Sequence, residues 1–159
     1  MDCVEYNNYD DKEDYEEDTE YNTYTLSRVP LIIRTYSKLF WKNIPNLNNY
    51  TNIIEINCHG SFVSDFSFLP SKLKKLDCSN NALTQLGNLP ETLEELDCSY
   101  NQLTHLDNLP SNLKKLNCKC NKLTALNNLP VNLEILYCEN NNISLMDNLP
   151  HNLINKSDS

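Results

Sequence analysis

The sequence predicts an α/β-class solenoid with a parallel β-sheet on its concave face, an extended or irregular convex side, and an N-terminal helix capping the first coil. Three observations carry this. From residue 69 the chain reads LPSKLKKLDCSNNALTQLGN, LPETLEELDCSYNQLTHLDN, LPSNLKKLNCKCNKLTALNN and LPVNLEILYCENNNISLMDN, units of constant length without an insertion. Within each unit the apolar residues keep fixed columns, and the spacing of two between Leu76 and Cys78 is that of one strand face. Each unit opens with Leu-Pro, which disfavours helix at the leucine and fixes the proline's dihedral, so the return path has no room for a helix.

The repeats occupy residues 49–153, as units 49–68, 69–88, 89–108, 109–128 and 129–148 and a partial copy at 149–153. In the first unit Ile53, Ile56, Cys58, Val63 and Phe66 take the columns of Leu73, Leu76, Cys78, Leu83 and Leu86, and Ser61 stands where later units have asparagine. The expected core is Leu76 and Cys78 with their equivalents Leu96, Cys98, Leu116, Cys118, Leu136 and Cys138. A cysteine every twenty residues invites a disulfide or metal reading, and geometry opposes both. In-register parallel neighbours lie about 4.8 Å apart with parallel Cβ vectors, whereas a relaxed disulfide needs Cβ atoms at about 3.8 Å on converging vectors. A straight column cannot surround zinc tetrahedrally. What remains is a small, soft residue filling the narrow inner side of a coil.

Asn81, Asn101, Asn121 and Asn141 stand where the chain leaves the strand, and an inward carboxamide there can bond the backbone of adjacent turns. Asn88, Asn108, Asn128 and Asn148 suggest a second turn ladder. Cys120 takes the column of Asn80, Tyr100 and Asn140 and is expected to face outward; with Cys3 in the tail it is the candidate reactive thiol.

The outward strand positions vary from unit to unit and are the candidate partner-binding surface: Lys75, Asp77, Glu95, Asp97, Tyr100, Lys115, Asn117, Lys119, Ile135 and Tyr137. Within it Glu55, Lys75, Glu95 and Lys115 alternate in charge, as do Lys74, Glu94, Lys114 and Glu134 beside them, so stacked neighbours attract. Tyr100, Ile135 and Tyr137 make its C-terminal part more aromatic and less charged, the composition of a protein-contact anchor.

The flanks differ in kind. Residues 1–24 carry ten acidic residues and one lysine, five tyrosines and almost no aliphatic residues, so the whole net charge of −9 belongs to this stretch, which is expected to be disordered. Residues 25–48 are expected to cap the solenoid, with a helix at about 30–43: Ile32, Ile33, Tyr36, Leu39, Phe40 and Ile44 share one side of a 3.6-residue period, and Pro30 suits a first helical position. Residues 154–159 read as a short polar tail, a thin cover that leaves the C-terminal edge open to self-association.

The LxxLxCxxNxLxxL pattern at a twenty-residue period resembles a leucine-rich repeat. Its short unit and leading Leu-Pro are similar to the bacterial-effector subtype (YopM-like and IpaH-like proteins), and the asparagine-rich version with a cysteine column resembles leucine-rich-repeat proteins of giant DNA viruses of the mimivirus type. Gly87, Asp107, Asn127 and Asp147 stand near where the effector subtype usually carries a second proline. IpaH-like members carry a catalytic ligase domain after their repeats, for which this sequence has no residues.

These features define the expected function: a non-catalytic module binding a protein through its concave face. Two rivals stand beside it, a structural or virion-type assembly component, and an adaptor holding one partner by the acidic tail and another by the repeats. No cofactor or metal is expected, since two glycines build no phosphate loop and His59, His105 and His151 fall at unrelated repeat positions. Nucleic acid is not an expected partner, because neither tail nor repeats carry net positive charge. No apolar run approaches a membrane span, and the start lacks a secretory signal, so the expected location is intracellular, in a host cytoplasm or virion if the chain is viral.

Overall fold

The computed structural model describes residues 31–34, 53–61, 63–64, 66, 69–144 and 149–157. Seven short strands run in chain order: β1 (Leu31–Arg34), β2 (Ile53–Asn57), β3 (Lys75–Asp77), β4 (Glu95–Asp97), β5 (Lys115–Asn117), β6 (Ile135–Tyr137) and β7 (Asn155–Ser157). They form one parallel sheet in which each strand neighbours the next. From β2 onward the register steps by one repeat length, so that Glu55, Lys75, Glu95, Lys115, Ile135 and Asn155 lie side by side.

Burial follows the repeat columns. Leu73, Leu76, Cys78, Leu83 and Leu86 form one continuous core with their counterparts in the first, third and fourth units and with Leu133, Leu136 and Cys138, and Leu89, Leu109, Leu129 and Ile143 pack partly buried against it. Each fully buried leucine contributes about 1.5–3 kcal/mol, and none could bury its side chain without the coil above and below. The Leu-Pro step closes each coil with a four-residue turn, in which the Leu73 N–H donates to the Pro70 carbonyl at 3.1 Å and the Leu93 N–H to that of Pro90 at 3.0 Å. Proline only accepts here, so its missing N–H is no loss.

The N-terminal end differs from the sequence expectation. Residues 31–34, the start of the predicted helix, are the strand β1, paired in parallel with β2 through Ile33 opposite Ile56 and Arg34 opposite Asn57. A row of open N–H and C=O groups on β2 is satisfied by a strand and cannot be satisfied by a helix, and the adjacent β-branched Ile32 and Ile33 suit a strand. The rest of that predicted helix, residues 35–43, and the acidic tail 1–24 lie outside the described residues. At the other end the sheet continues past the partial repeat: Ile154 N–H donates to Glu134 O at 2.8 Å and leads into β7.

Candidate functional site

Three ladders hold the concave sheet rigid. In the asparagine ladder the Asn101 Nδ2 donates to the carbonyls of Cys78 at 3.0 Å, Cys98 at 3.1 Å and Ser99 at 3.2 Å, while its Oδ1 accepts the Leu83 N–H at 3.0 Å. Asn81, Asn121 and Asn141 repeat the pattern. In the cysteine ladder each Sγ donates to a carbonyl of the next coil, Cys58 to Asp77, Cys78 to Asp97, Cys98 to Asn117 and Cys118 to Tyr137, at 3.2–3.4 Å. Burial pushes the Cys58 thiol up to about 12, and raises those of Cys78, Cys98 and Cys118 as well. Cys58, Cys78, Cys98, Cys118 and Cys138 are buried thiols outside any disulfide, which makes them structural and unreactive.

The third ladder is not one the sequence reading identified. Two residues after each proline, Thr92 Oγ1 bonds the carbonyls of Ser71 and Leu73, and Asn112, Asn132 and Asn152 each bond the carbonyl at the equivalent turn of the preceding coil, at 2.8–3.1 Å. Its signal was a hydroxyl or carboxamide recurring after Leu-Pro. Conversely, Asn88, Asn108 and Asn128 are exposed, and among the described residues their side chains form no inter-coil ladder. Asn108 and Asn128 act through the backbone, at φ 54° and 57°.

On this scaffold the sheet presents its outward side chains around a shallow depression of about 250 Å³, lined by Asn57, Lys75, Asp77, Glu95, Asp97, Lys115 and Asn117 among others. Lys75 reaches Glu95 at 2.8 Å, and beside it Glu94 bridges Lys74 at 2.5 Å and Lys114 at 3.0 Å. Those bonds, Lys74 first, hold the Glu94 carboxyl below its ordinary value and, through Glu94 and Glu95, hold Lys114 and Lys75 above theirs. Asp97 accepts from Ser99 Oγ at 2.6 Å and Asn117 Nδ2 at 2.8 Å. Lys119 pairs with Glu139 at 3.2 Å and lies 4.8 Å from the Tyr137 ring centroid, a cation–π contact. Ile135 and Tyr137 are half-buried on β6.

Tyr100 and Cys120 are placed differently from the sequence expectation. With Gly60, Asn80 and Asn140 they form a column of left-handed residues just beyond the strands, Tyr100 at φ 53° and Cys120 at φ 51°. Tyr100 is 47% exposed, so it rises from the rim of the concave face and not from its centre. Cys120 is buried, disulfide-bonded and within 3.6 Å of Asn140 Nδ2, which removes it as an exposed free thiol. Glycine and asparagine tolerate this backbone; tyrosine pays for it, by about 1 kcal/mol or more. Tyr100→Asn is therefore expected to raise stability by about 1 kcal/mol, read as a higher urea midpoint. No gain would show that the turn carries no strain.

Among the described residues two linked sets resemble a catalytic group: His59, Ser79 and Asp77, and Thr104, His105 and Asp107, where His105 Nδ1 lies 2.9 Å from Thr104 Oγ1 and its Nε2 lies 3.3 Å from Asp107 Oδ2. His59 Nδ1 lies 2.8 Å from Ser79 Oγ, which donates to Asp77 Oδ1 at 2.5 Å. The serine stands between acid and imidazole, so its proton is directed to the carboxylate and the hydroxyl is not activated by the histidine. In the second set the histidine does stand between hydroxyl and acid, but Thr104, His105 and Asp107 are all exposed, so water competes for each contact. Among the described residues no group of His, Cys, Asp and Glu could hold a metal ion, and no helix is long and apolar enough to cross a membrane.

The comparisons agree with this architecture. A family model described as Leucine Rich Repeat matches residues 72–94 and 92–116. No curated protein sequence matches the chain. Among solved structures, YopM from Yersinia enterocolitica WA-314 superposes with a TM-score of 0.65 at 33% identity, over 69% of this chain and 24% of that one. A Shigella effector leucine-rich-repeat domain superposes at 0.55 and 31% identity, over 61% of this chain and 44% of that one. The chain thus spans about a quarter of the YopM structure and under half of the Shigella domain. Its parallel sheet and twenty-residue coils are those of a leucine-rich-repeat solenoid similar to these bacterial effector repeats.

Proposed function

We propose that this chain is a non-catalytic interaction module that binds a protein partner through the concave face of its repeats. One observation carries the reading: residues at fixed columns are spent on the core and ladders, while the outward residues of β3–β6 change from coil to coil on a preformed sheet. A preformed surface loses little side-chain and backbone freedom on binding, and Tyr100 and Tyr137 supply aromatic contact area. The hydroxyl order at Ser79 and the exposure of Thr104, His105 and Asp107 support the non-catalytic part.

The test compares capture from a host-cell lysate by wild type and by Tyr100→Ala/Tyr137→Ala, read by mass spectrometry. A protein held by wild type and lost by the double variant is the expected result. Identical capture by both would discard the concave reading.

A second reading, assembly through the sheet edge, is favoured by one feature. Among the described residues β7 has no strand on its far side, and Ile154 beside it is 82% exposed. It requires concentration-dependent association in sedimentation velocity, abolished by Ile154→Asp.

A further inference from the structure

The pairing pattern of the concave lysines points to the chemistry of the partner. Along the sheet the charges are matched coil by coil: Lys74 and Lys114 share Glu94, Lys75 holds Glu95, and Lys119 holds Glu139. The column Glu55, Lys75, Glu95, Lys115 calls for an acid next, and Ile135 stands there instead, in register with Lys115. Glu95 is engaged by Lys75, so among the described residues Lys115 is the one concave lysine with no ion-pair partner, and it is exposed. Next to it, Ile135 and Tyr137 present an apolar floor on the same face of β6.

Resting on the concave-face reading, we propose that Lys115, Ile135 and Tyr137 form its anchor subsite and take a partner protein segment carrying a carboxylate beside an apolar side chain. The carboxylate supplies the acid missing over Ile135 and pairs with Lys115, while the apolar neighbour covers Ile135 and the Tyr137 ring. Orientation comes from the other half of the face. Asp77 and Asp97 lie directly opposite one another in the register, so that part repels a second acid and directs an acidic segment toward β5 and β6. Charge at such a rim steers encounter as well as register.

The test pans a phage-displayed library of random dodecapeptides against the full chain and against Lys115→Gln and Lys115→Glu, with a synthetic copy of the best peptide titrated against each. Because Lys115 is exposed, both variants should melt with wild type, which checks the fold. The expected result is enrichment of Asp or Glu adjacent to an aliphatic or aromatic residue, a loss of about tenfold or more in affinity with Lys115→Gln, and selection of Lys or Arg instead by Lys115→Glu. Peptides indifferent to both Lys115 variants but lost with Asp77→Ala/Tyr100→Ala would overturn this subsite and leave the concave reading standing. Peptides indifferent to every concave variant, or no enrichment at all, would overturn both. Displacement of the selected peptides by a synthetic copy of residues 1–24 at equimolar concentration would reassign the subsite to the chain's own tail and overturn the proposal of a separate partner.

Discussion

Asn101→Ala is expected to lower the unfolding free energy by about 2–3 kcal/mol, among the largest effects available from one polar substitution in this chain. The side chain is 7% exposed and does four things at once. It supplies the only bond for the Leu83 N–H among the described residues and donates to the carbonyls of Cys78, Cys98 and Ser99. The Ser99 carbonyl keeps the Asn80 N–H, and the Cys78 and Cys98 carbonyls keep the carboxamides of Asn81 and Asn121; the Leu83 N–H is left buried without an acceptor, and three further bonds are lost. Asn101→Asp should be worse than alanine, because it keeps the acceptor for Leu83 but turns a second oxygen toward the carbonyls. Asn108→Ala is the control, since that asparagine is exposed and contributes only its left-handed backbone, for about 1 kcal/mol. Equal shifts of the urea midpoint in Asn101→Ala and Asn108→Ala would mean that the ladder stabilises nothing beyond its turns.

The contrast between the two asparagine columns shows what the sequence could and could not convey. A constant twenty-residue period fixes which residues stack, so the core leucines and the parallel register follow from counting. Whether a carboxamide points in or out depends on the backbone of its turn, which the period does not reveal; Asn101 points in and Asn108 does not. The left-handed column was nonetheless legible in part, because Gly60, Asn80 and Asn140 are residues that favour that conformation. Tyr100 and Cys120 masked it, and Tyr100 was read as a strand residue when it belongs to the turn beyond.

The strand at residues 31–34, where the sequence pattern suggested the start of a helix, has a different origin. Apolar residues at 32, 33, 36, 39 and 40 satisfy a helical period, but that pattern is short enough at 31–34 for a strand to compete. The deciding factor is tertiary: β2 presents an edge, and only another strand can bond it. On the concave face the alternation of charge was legible, and the idle Lys115 was not. Its isolation depends on Lys75 having engaged Glu95, a choice between two equivalent neighbours that side-chain geometry alone makes.

Above pH 9 the fold is expected to lose stability steeply, because its core is a column of thiols. The ordinary thiol value is 9.0; in the folded chain burial pushes Cys58 to about 12 and holds Cys78, Cys98 and Cys118 above the ordinary value too. The folded state therefore keeps protons that the unfolded state releases between pH 9 and about 12. Stability from this source is fully present below pH 9 and falls as pH rises through that window, by about 1.4 kcal/mol per pH unit for each thiol. Four thiols together give roughly 5–6 kcal/mol per unit, enough to unfold a domain of ordinary stability, about 5–15 kcal/mol, within one to three units. Urea unfolding from pH 7 to 10.5 measures the slope. In Cys78→Ala/Cys98→Ala the stability at pH 7 drops, because two packed sulfurs are lost, but the slope above pH 9 should be about half that of wild type. The slope isolates the thiols, since the exposed Lys75 and Lys114, raised by Glu95 and Glu94, titrate higher and are common to both proteins. Iodoacetamide at pH 8 should modify the five core cysteines only as the chain unfolds. A slope unchanged in the double variant would mean that the cysteine column is not what alkali attacks.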